Sequence, residues 1–286
     1  MKTYKPTEKK LSHIEFTDSD EEKLSLIGVN NPIRTKTIIS GDYIECSIYI
    51  KPTIAAIIDN KSQKPKGTSP AQANLNKANA IKRLIRLANT NFTDNDVWGI
   101  LSYAEEPTYE ESQKHMKNFI IRLKRYIKSN SLPDLKYIYV TEGEKVRLHH
   151  NFITNFTDRI TFEKLWGQGH TSQKHLVSEE DGYGRLIRYM IKNPIGKKIY
   201  IPSQNLEKPI VLTADSKITQ SQINKIRSGD LSVPSLVQNI YREYEITDHT
   251  GYRENDFTGF MITANLKKKK SNKPQRDKYY GGLDNL

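Results

Sequence analysis

The sequence predicts an α+β fold, in which helices pack on an antiparallel β-sheet, plus a less defined C-terminal region. Strand-like segments with period-2 alternation alternate with segments of helical periodicity, and one pair of strands is joined by a turn too short for a parallel crossover. The 286 residues suffice for one large domain or two smaller ones. No window reaches the roughly 18 continuous apolar residues of a membrane span, and the first residues lead into no signal-like apolar run.

Three segments before residue 90 carry recognisable patterns. Asp42–Lys51 alternates polar and apolar residues, which is typical of a strand with one buried face, and Cys46 lies on its apolar side. Asn60–Pro70 is rich in Lys, Pro, Gly and Ser and is predicted to be a loop. Ser69–Ala88 has apolar residues at helical spacing, with Ser69 as the N-cap and a proline at the first helical position.

Four further elements follow in the middle of the chain. Asp96–Tyr103 is the second predicted strand. Thr108–Lys128 is the clearest helix, because a capping box opens it and its apolar residues form one stripe. Leu135–Thr141 and Val146–Thr154 are two more strands, and because only four residues connect them, we expect an antiparallel hairpin.

The patterns weaken toward the C-terminus. Phe162–Trp166 is predicted to be a short helix or turn, and Gly184–Lys192 to be a helix. Beyond them, weaker patterns indicate a strand, a helix and a strand at Pro209–Thr213, Thr219–Ser228 and Asn239–Glu245. No internal repeat is visible.

These elements divide the chain into four parts. Residues 1–41 are predicted to be a polar, loosely ordered segment, residues 42–200 the domain that carries the motifs, residues 201–266 a C-terminal accessory region, and residues 267–286 a basic disordered tail. The accessory region contains no chemical motif. DNA recognition and self-association are both open as its role, and the oligomeric state is not predicted.

The positive charge of the chain is unevenly distributed. The 45 Lys and Arg residues exceed the 33 Asp and Glu residues by 12, and the isoelectric point is about 9.4. Four segments carry +22 and the remainder carries −10: residues 60–93, 112–128, 181–200 and 267–286. Clustered cations neutralise phosphates, so nucleic acid is the expected partner, although each run alone also fits a solvated helix face. The single cysteine excludes an intrachain disulfide and a cysteine-based zinc cluster.

The strand Val146–Thr154 contains the first residues suited to catalysis. Neighbouring strand residues point to opposite faces, so His149 and Asn151 share one face and His150 takes the other. Glu142 ends the preceding strand, and across a tight hairpin we expect its carboxylate beside His149. Two oxygen ligands and one nitrogen ligand suit Mg²⁺ or Mn²⁺. A pair of histidines on a strand is nevertheless more often structural.

The predicted helix Gly184–Lys192 adds Tyr189 and Lys192, which lie one turn apart and project to the same side. An ordinary tyrosine hydroxyl has a pKa of about 10 and is a poor nucleophile at neutral pH. Beside a divalent cation that polarises a phosphate and a lysine that favours the phenolate, Tyr189 is predicted to attack phosphorus and form a phosphotyrosine. Taken alone, a tyrosine in an amphipathic helix is more often part of the core.

In their order and spacing these residues resemble the HUH-endonuclease replication initiators (Rep proteins) of rolling-circle plasmids and phages, in the branch of the filamentous-phage replication endonucleases. The resemblance covers about residues 42–200. It rests on four stretches: GILSY with AEEP (99–107) before the Lys/Arg-rich helix, Glu142 followed by RLHHN (147–151), Leu165-Trp166 with Gly169, and RYMIK (188–192).

The resemblance implies a metal-dependent HUH-type nuclease domain on an RRM-like, ferredoxin-like core, which nicks single-stranded or hairpin DNA at a replication origin. Tyr189, with Lys192 beside it, would become linked to the 5′ phosphate, and a later transfer step would rejoin the strands in rolling-circle replication. Glu142, His149 and Asn151 would hold Mg²⁺ or Mn²⁺. A host helicase and polymerase would be partners, in the cytoplasm of a bacterial host and without a membrane.

Three points qualify what the resemblance implies. The family has histidines on both sides of a hydrophobic residue, whereas this chain has Asn151 in the second place and His150 between. An amide lowers the expected metal affinity, so a non-catalytic DNA-binding initiator or repressor on the same fold is an alternative. An RNA-binding module is a third hypothesis, but Tyr137–Val140 lacks RNP-like aromatic spacing. Tyr183 lies six residues before Tyr189 rather than four, which favours a single-tyrosine enzyme.

Several cations near the motifs are expected to contact DNA phosphates as positioning groups rather than base-reading groups. They are Arg122, Lys124, Arg125, Arg147, Arg185 and Arg188. Trp166 is expected in the core rather than stacked on an unpaired base.

Overall fold

Two antiparallel β-sheets organise the part of the chain that the structure describes. The structure is a computed structural model, and it describes residues 32–51, 69–143, 146–196, 198–255 and 259–269. Within these residues, ten strands form two five-stranded sheets that are accompanied by six helices. The predicted α+β class is confirmed.

Strands and helices interleave along the whole described chain. The strands are β1 (Ile33–Ser40), β2 (Tyr43–Ile50), β3 (Val97–Ser102), β4 (Tyr137–Glu142), β5 (His149–Thr154), β6 (Thr171–His175), β7 (Ile201–Pro202), β8 (Ile210–Ala214), β9 (Tyr244–Asn255) and β10 (Gly259–Lys268). The helices are α1 (Pro70–Asn91), α2 (Tyr109–Ser129), α3 (Arg159–Trp166), α4 (Gly184–Met190), α5 (Gln220–Ser228) and α6 (Val233–Ile240).

The central sheet contains the strands that carry the motifs. Its order is β6-β3-β5-β4-β7, and all neighbouring strands are antiparallel. The predicted hairpin of β4 and β5 is confirmed. Gly99 in β3 lies so close to β6 that an added Cβ would come within 2.3 Å of the Ser172 carbonyl oxygen, so this position of the motif needs glycine.

Helices cover both faces of the central sheet. On one face, α2 and α3 enclose an aromatic core in which the Phe119 ring lies 5.8, 5.0 and 5.4 Å from the rings of Phe152, Phe162 and Trp166. On the other face, α1 and α4 bury their apolar side chains in a cluster that includes Ile153. Since β5 gives Phe152 to one face and Ile153 to the other, its alternate residues meet different helices.

The second sheet joins the two ends of the described chain. Its order is β8-β1-β2-β10-β9, again with antiparallel neighbours. One face of this sheet packs against α5 and α6, where Ile223 and Leu236 share a core with Ile48. From the opposite face, Glu45 reaches α1 and accepts two hydrogen bonds of 2.6 Å from the Arg86 guanidinium. This ion pair connects the second sheet to the helix that covers the central sheet.

Most predicted elements are confirmed with shifts of a few residues. Asp42–Lys51 contains β2, with Cys46 buried on its apolar side. Ser69 caps α1 through the backbone N–H of Gln72, and α2 opens with the expected capping box. Trp166 is fully buried, as expected for a core residue.

Other predictions differ from the structure. β2 pairs with β1 and β10 rather than with the motif-bearing strands, so residues 42–200 do not form one sheet. Ile33–Ser40, assigned to the loosely ordered N-terminal segment, forms β1, because its apolar residues complete the core of the second sheet. The strand predicted at Asn239–Glu245 is wrong, since α6 ends and β9 begins within it. Lys267 and Lys268, assigned to the tail, end β10.

Some predictions fall on residues that the structure does not describe. Residues 1–31, most of the predicted loop Asn60–Pro70 and residues 270–286 lie outside the described part. Among the helices that are described, each is too short or too polar to cross a lipid bilayer.

Candidate active site

The pairing of β4 with β5 brings the three predicted metal-binding residues together. Glu142 lies opposite His149, and Asn151 follows two residues later, so the three side chains share one face of the central sheet. His149 Nε2 is 3.4 Å from Glu142 Oε2, and Asn151 Nδ2 donates a hydrogen bond to the same oxygen at 3.0 Å. Asn151 Nδ2 also lies 3.5 Å from His149 Nε2. The three polar groups therefore converge on one point.

The backbone fixes the tautomer of His149. Its Nδ1 lies 2.9 Å from the carbonyl oxygen of Arg147, which can only accept, so Nδ1 carries the proton in the neutral ring. The Nε2 lone pair then faces Glu142 and Asn151. A histidine that donates one ring N–H to a carbonyl and presents its other nitrogen is arranged like a metal ligand.

Asn151 contributes an amide with an unused oxygen. The residue is fully buried, and its Oδ1 has no hydrogen-bond partner among the described residues. The amide oxygen and nitrogen are nearly equal in size, so a half-turn of the amide exchanges their positions and points Oδ1 toward Glu142 and His149. A buried carbonyl oxygen without a partner is the kind of ligand that a hard cation takes.

The donor set suits a hard cation that accepts mixed ligands. Across the described residues, no three His, Cys, Asp or Glu side chains cluster closely enough to hold a metal ion. The Asn151 amide is therefore needed as the third ligand beside Glu142 and His149. One carboxylate, one amide oxygen and one imidazole fit Mg²⁺ or Mn²⁺, and the lack of thiolate ligands in this group disfavours a structural zinc site.

His150 points to the opposite face of the sheet and takes no part in this group. Its Nε2 lies 2.8 Å from the Tyr103 hydroxyl, and its Nδ1 lies 2.9 Å from the Thr141 hydroxyl. Burial, followed by the neighbouring rings of His149 and His115, lowers the pKa of His150 to about 3. His150 is therefore a neutral core histidine, as the alternation of the strand predicts.

Tyr189 lies on α4, over the face of the sheet that carries Asn151. The residue is 54% exposed, and its ring meets the Trp98 ring edge-on with 5.8 Å between centroids. Trp98 pairs with Ile153, two residues beyond Asn151 in β5, and so shares that face. The phenol is supported by one aromatic contact and remains open to a substrate.

Lys192 lies just beyond the helix. α4 ends at Met190, so the predicted helix Gly184–Lys192 is two residues too long. The proline at 194 explains this end, because the residue before a proline disfavours the helical conformation. The Lys192 backbone N–H still bonds the Tyr189 carbonyl at 3.3 Å, and its side chain is exposed.

The chain after α4 returns to the three polar residues. The Asn193 backbone N–H donates to Glu142 Oε1 at 2.6 Å, and Ile195 N–H donates to the Thr141 carbonyl at 2.9 Å. Glu142 thus uses one oxygen toward His149 and Asn151 and the other toward the segment that follows Tyr189. The two halves of the candidate site are joined through this carboxylate.

This region is also where the chain is similar to a known family. Residues 96–194 match the family model of the replication-associated protein ORF2. The match starts just before β3 and ends after α4, so it includes every residue of the site described above except Ile195. It supports a role in DNA replication. No curated protein and no solved structure gives a significant match.

Within the matched region, Tyr183 differs from Tyr189 in every relevant respect. Tyr183 is buried, and its hydroxyl donates to Asp94 at 3.0 Å. Burial and the Asp94 carboxylate raise the pKa of the Tyr183 hydroxyl well above its usual value. Its role is structural, which agrees with the choice of Tyr189 as the nucleophile.

The six predicted phosphate-binding cations divide into two groups. Arg185 and Arg188 lie on α4 beside Tyr189, where they pair with Glu179 and Asp181 at 3.1 and 2.7 Å. The other four lie elsewhere: Arg147 donates to the Ala104 carbonyl, Arg122 donates to the last carbonyls of α3, and Lys124 and Arg125 are exposed on α2. Since α2 covers the face opposite the site, the α2 cations do not line it.

Two contributions to the site were missed by sequence reasoning. Trp98 supports Tyr189, and the backbone of Asn193 binds Glu142. Trp98 alternates with Ile100 and Ser102, so its face could be read from the strand pattern, but its contact with α4 depends on the tertiary fold. No sequence pattern marks the Asn193 backbone.

Proposed function

We propose that this chain is a replication initiator that nicks single-stranded origin DNA through Tyr189 and forms a 5′-phosphotyrosine link. The observation that carries the proposal is the convergence of Glu142, His149 and Asn151 on the face of the sheet that Tyr189 overlies. A structural histidine pair would not require the tautomer and the unpartnered amide oxygen that this face displays among the described residues.

Each residue has a distinct role in the proposed reaction. Glu142, His149 and Asn151 would hold Mg²⁺ or Mn²⁺, which when bound polarises the scissile phosphate and stabilises its developing charge. Trp98 orients the Tyr189 ring. Lys192, one turn beyond Tyr189, supplies a positive charge that favours the phenolate.

The step is a transesterification that conserves the phosphodiester bond. The Tyr189 phenol loses its proton to solvent, and its oxygen forms a bond to phosphorus. The bond from phosphorus to the 3′ oxygen breaks, and that oxygen takes up a proton to become a free 3′ hydroxyl. No oxidant, reductant or nucleotide is consumed, and attack by a 3′ hydroxyl on the phosphotyrosine reverses the step and rejoins a strand.

A groove beside Tyr189 suits an unpaired DNA strand. It is lined by Trp98, Lys174, Val177, Leu186 and Arg185. Val177 is 73% exposed, so apolar surface is available to an unstacked base, and the two cations are available to phosphates. A duplex presents no such free base, which favours single-stranded or hairpin DNA as the substrate.

The test is the formation of a covalent adduct. Incubation of the full chain with Mn²⁺ and a single-stranded random-sequence pool is expected to yield a denaturation-resistant protein–DNA species. Mass spectrometry should place the DNA on the tryptic peptide that contains Tyr189. Tyr189→Phe should abolish the adduct, whereas Tyr183→Phe, matched in chemistry but buried, should retain it wherever the variant folds.

The non-catalytic initiator makes the opposite prediction in the same assay. It would bind DNA with a steep salt dependence and give no adduct with either cation. An adduct that survives Tyr189→Phe would show that another residue is the nucleophile.

A further inference from the structure

The first half of α1 projects away from the two sheets. Every residue from Pro70 to Ala78 is exposed, including Leu75 at 54%. The second half is anchored, because Leu84 and Ala88 are fully buried against the central sheet and Arg86 pairs with Glu45 of the second sheet. Nine exposed residues at about 1.5 Å each make a rod about 13 Å long, held at one end.

The side chains of this projecting half are of the types that contact nucleic acid. It carries amides and a cation, namely Gln72, Asn74, Asn76 and Lys77. Asparagine is a poor helix former, so the density of amides here is not explained by helix propensity. Gln72 Nε2 donates to Asn76 Oδ1 at 2.9 Å, which holds two of the amides side by side on one face.

The charge of α1 is entirely positive. Lys77, Lys82, Arg83 and Arg86 lie in Pro70–Asn91, and that range contains neither Asp nor Glu. Lys82 and Arg83 are exposed at the base of the projecting half. A helix that only faced water or an acidic partner segment would not need amides in place of acids, whereas a phosphate-lined groove repels acids and accepts this mixture.

We propose that the projecting half of α1 enters the major groove of duplex DNA and reads the origin. This inference rests on the proposed function, because it names how the nicking enzyme would find its substrate. The major groove is about 12 Å wide and admits one helix, and Asn and Gln side chains form paired hydrogen bonds with adenine. Lys77, Lys82 and Arg83 contact the flanking phosphates.

The anchor of α1 gives this surface a mechanical role. The same helix packs with α4, which carries Tyr189, in one apolar cluster on the central sheet. A duplex held by the projecting half is therefore fixed relative to the nucleophile. Recognition of double-stranded DNA and cleavage of an adjacent single strand are then functions of two surfaces on one rigid unit.

The test separates base reading from cleavage. Duplexes are first selected by the parent chain from a random-sequence pool, and affinity is measured by fluorescence anisotropy. The variant Gln72→Ala/Asn74→Ala/Asn76→Ala should weaken binding to the selected duplex by about tenfold or more. It should leave binding to an unselected duplex unchanged. Its adduct yield on single-stranded DNA with Mn²⁺ should equal that of the parent.

A second variant tests the phosphate contacts. Lys77→Ala/Lys82→Ala/Arg83→Ala should weaken binding to selected and unselected duplexes alike. The slope of log K against log salt should fall by about 0.9 for each lost contact.

The matched control lies on α5, which presents the same residue types. Gln220 Nε2 donates to Asn224 Oδ1 at 3.2 Å, as Gln72 does to Asn76, and Lys225 follows Asn224 as Lys77 follows Asn76. Gln220→Ala/Asn224→Ala/Lys225→Ala should bind the selected duplex as the parent does.

Three results would overturn the inference. The first is unchanged affinity of the α1 amide variant for the selected duplex. The second is an equal loss in the α5 control. The third is an altered oligomeric state of the α1 variant with unchanged DNA affinity, which would assign the surface to a second copy of the chain. A parent chain that forms no adduct but loses duplex affinity through α1 would refute the nicking proposal alone.

Discussion

The Glu142 carboxylate accepts a 2.6 Å hydrogen bond from the backbone N–H of Asn193. This contact ties the end of β4 to the segment that follows α4, and the other carboxylate oxygen faces His149 and Asn151. One side chain thereby spans the proposed metal site and the chain next to the proposed nucleophile. The contact also explains why Glu142 is buried although it is a charged residue, because both oxygens are hydrogen-bonded.

Glu142→Gln should separate the charge of this residue from its shape. The glutamine oxygen can still accept from Asn193, and the free Oδ1 of Asn151 can accept from the new amide after a half-turn. We expect the free energy of unfolding to change by less than about 1 kcal/mol. Affinity for Mn²⁺, measured by calorimetry, should fall at least about tenfold, because the anionic ligand is lost.

The control for this substitution is Glu163→Gln. Glu163 Oε1 lies 3.5 Å from His170 Nδ1, so it forms a similar acid–histidine pair, but both side chains are largely exposed. The Mn²⁺ affinity of this variant should equal that of the parent. Equal losses in both variants would contradict the assignment of the metal to Glu142.

Asn151→Asp should make stability depend on the metal. The aspartate has almost the same shape as asparagine, but it places a second buried carboxylate about 3 Å from that of Glu142. Without metal, we expect a loss of about 2 to 4 kcal/mol of unfolding free energy, because the pair lacks a counter-charge. Mn²⁺ should restore most of it, which thermal melts with and without the ion would measure. A loss that Mn²⁺ does not reverse would argue against a cation at this position.

Local pattern was sufficient to predict much of the site. Period-2 alternation placed His149 and Asn151 on one face and His150 on the other, and the short hairpin placed Glu142 beside them. Both relations depend on the geometry of two adjacent strands, which is encoded within a dozen residues. The cap of α1 and the capping box of α2 were predictable for the same reason.

Long-range pairing was not predictable in this way. β1 pairs with β8 and β2 with β10, and the partners are separated by about 170 residues or more in each case. β6, with the sequence TSQKH, has no apolar alternation, because it is an edge strand that packs through Thr171 alone. The projecting half of α1 was likewise predicted as an ordinary helix, since burial of its second half supplies the apolar spacing.

Arg122 should prove to be a structural residue rather than a phosphate-binding one. Its guanidinium donates to the Leu165 and Trp166 carbonyls at 2.8 and 3.1 Å, and so satisfies the C-terminal end of α3. Arg122→Ala should lower the free energy of unfolding by about 1 to 3 kcal/mol in urea titrations. Lys124→Ala, an exposed position on the same helix, should have an effect of less than about 0.5 kcal/mol. Similar stabilities for both variants would contradict this role.

The last prediction concerns the buried network around His150. Gln113 Nε2 donates to Thr141 Oγ1 at 3.3 Å, and the Tyr103 hydroxyl donates to the Ser112 carbonyl at 3.4 Å. With the proton on Nε2, His150 donates to Tyr103 and accepts from Thr141, so every polar atom in the series is used once. His150→Leu breaks the series at its centre and leaves two buried hydroxyls with a lost partner. The expected loss is about 2 to 4 kcal/mol in urea titrations.

Tyr103→Phe removes one link of the same series and should lower the free energy of unfolding by about 1 to 2 kcal/mol. The combination with His150→Leu should lose less than the sum of the single losses, because both variants disrupt the same hydrogen bond. His150→Gln, which keeps a polar group, should bind Mn²⁺ as the parent does, whereas His149→Ala should not. Because adjacent residues of β5 face opposite sides, metal affinity should respond only to the one that faces Glu142. Weakened Mn²⁺ binding in a folded His150→Gln variant would contradict this division of the two histidines.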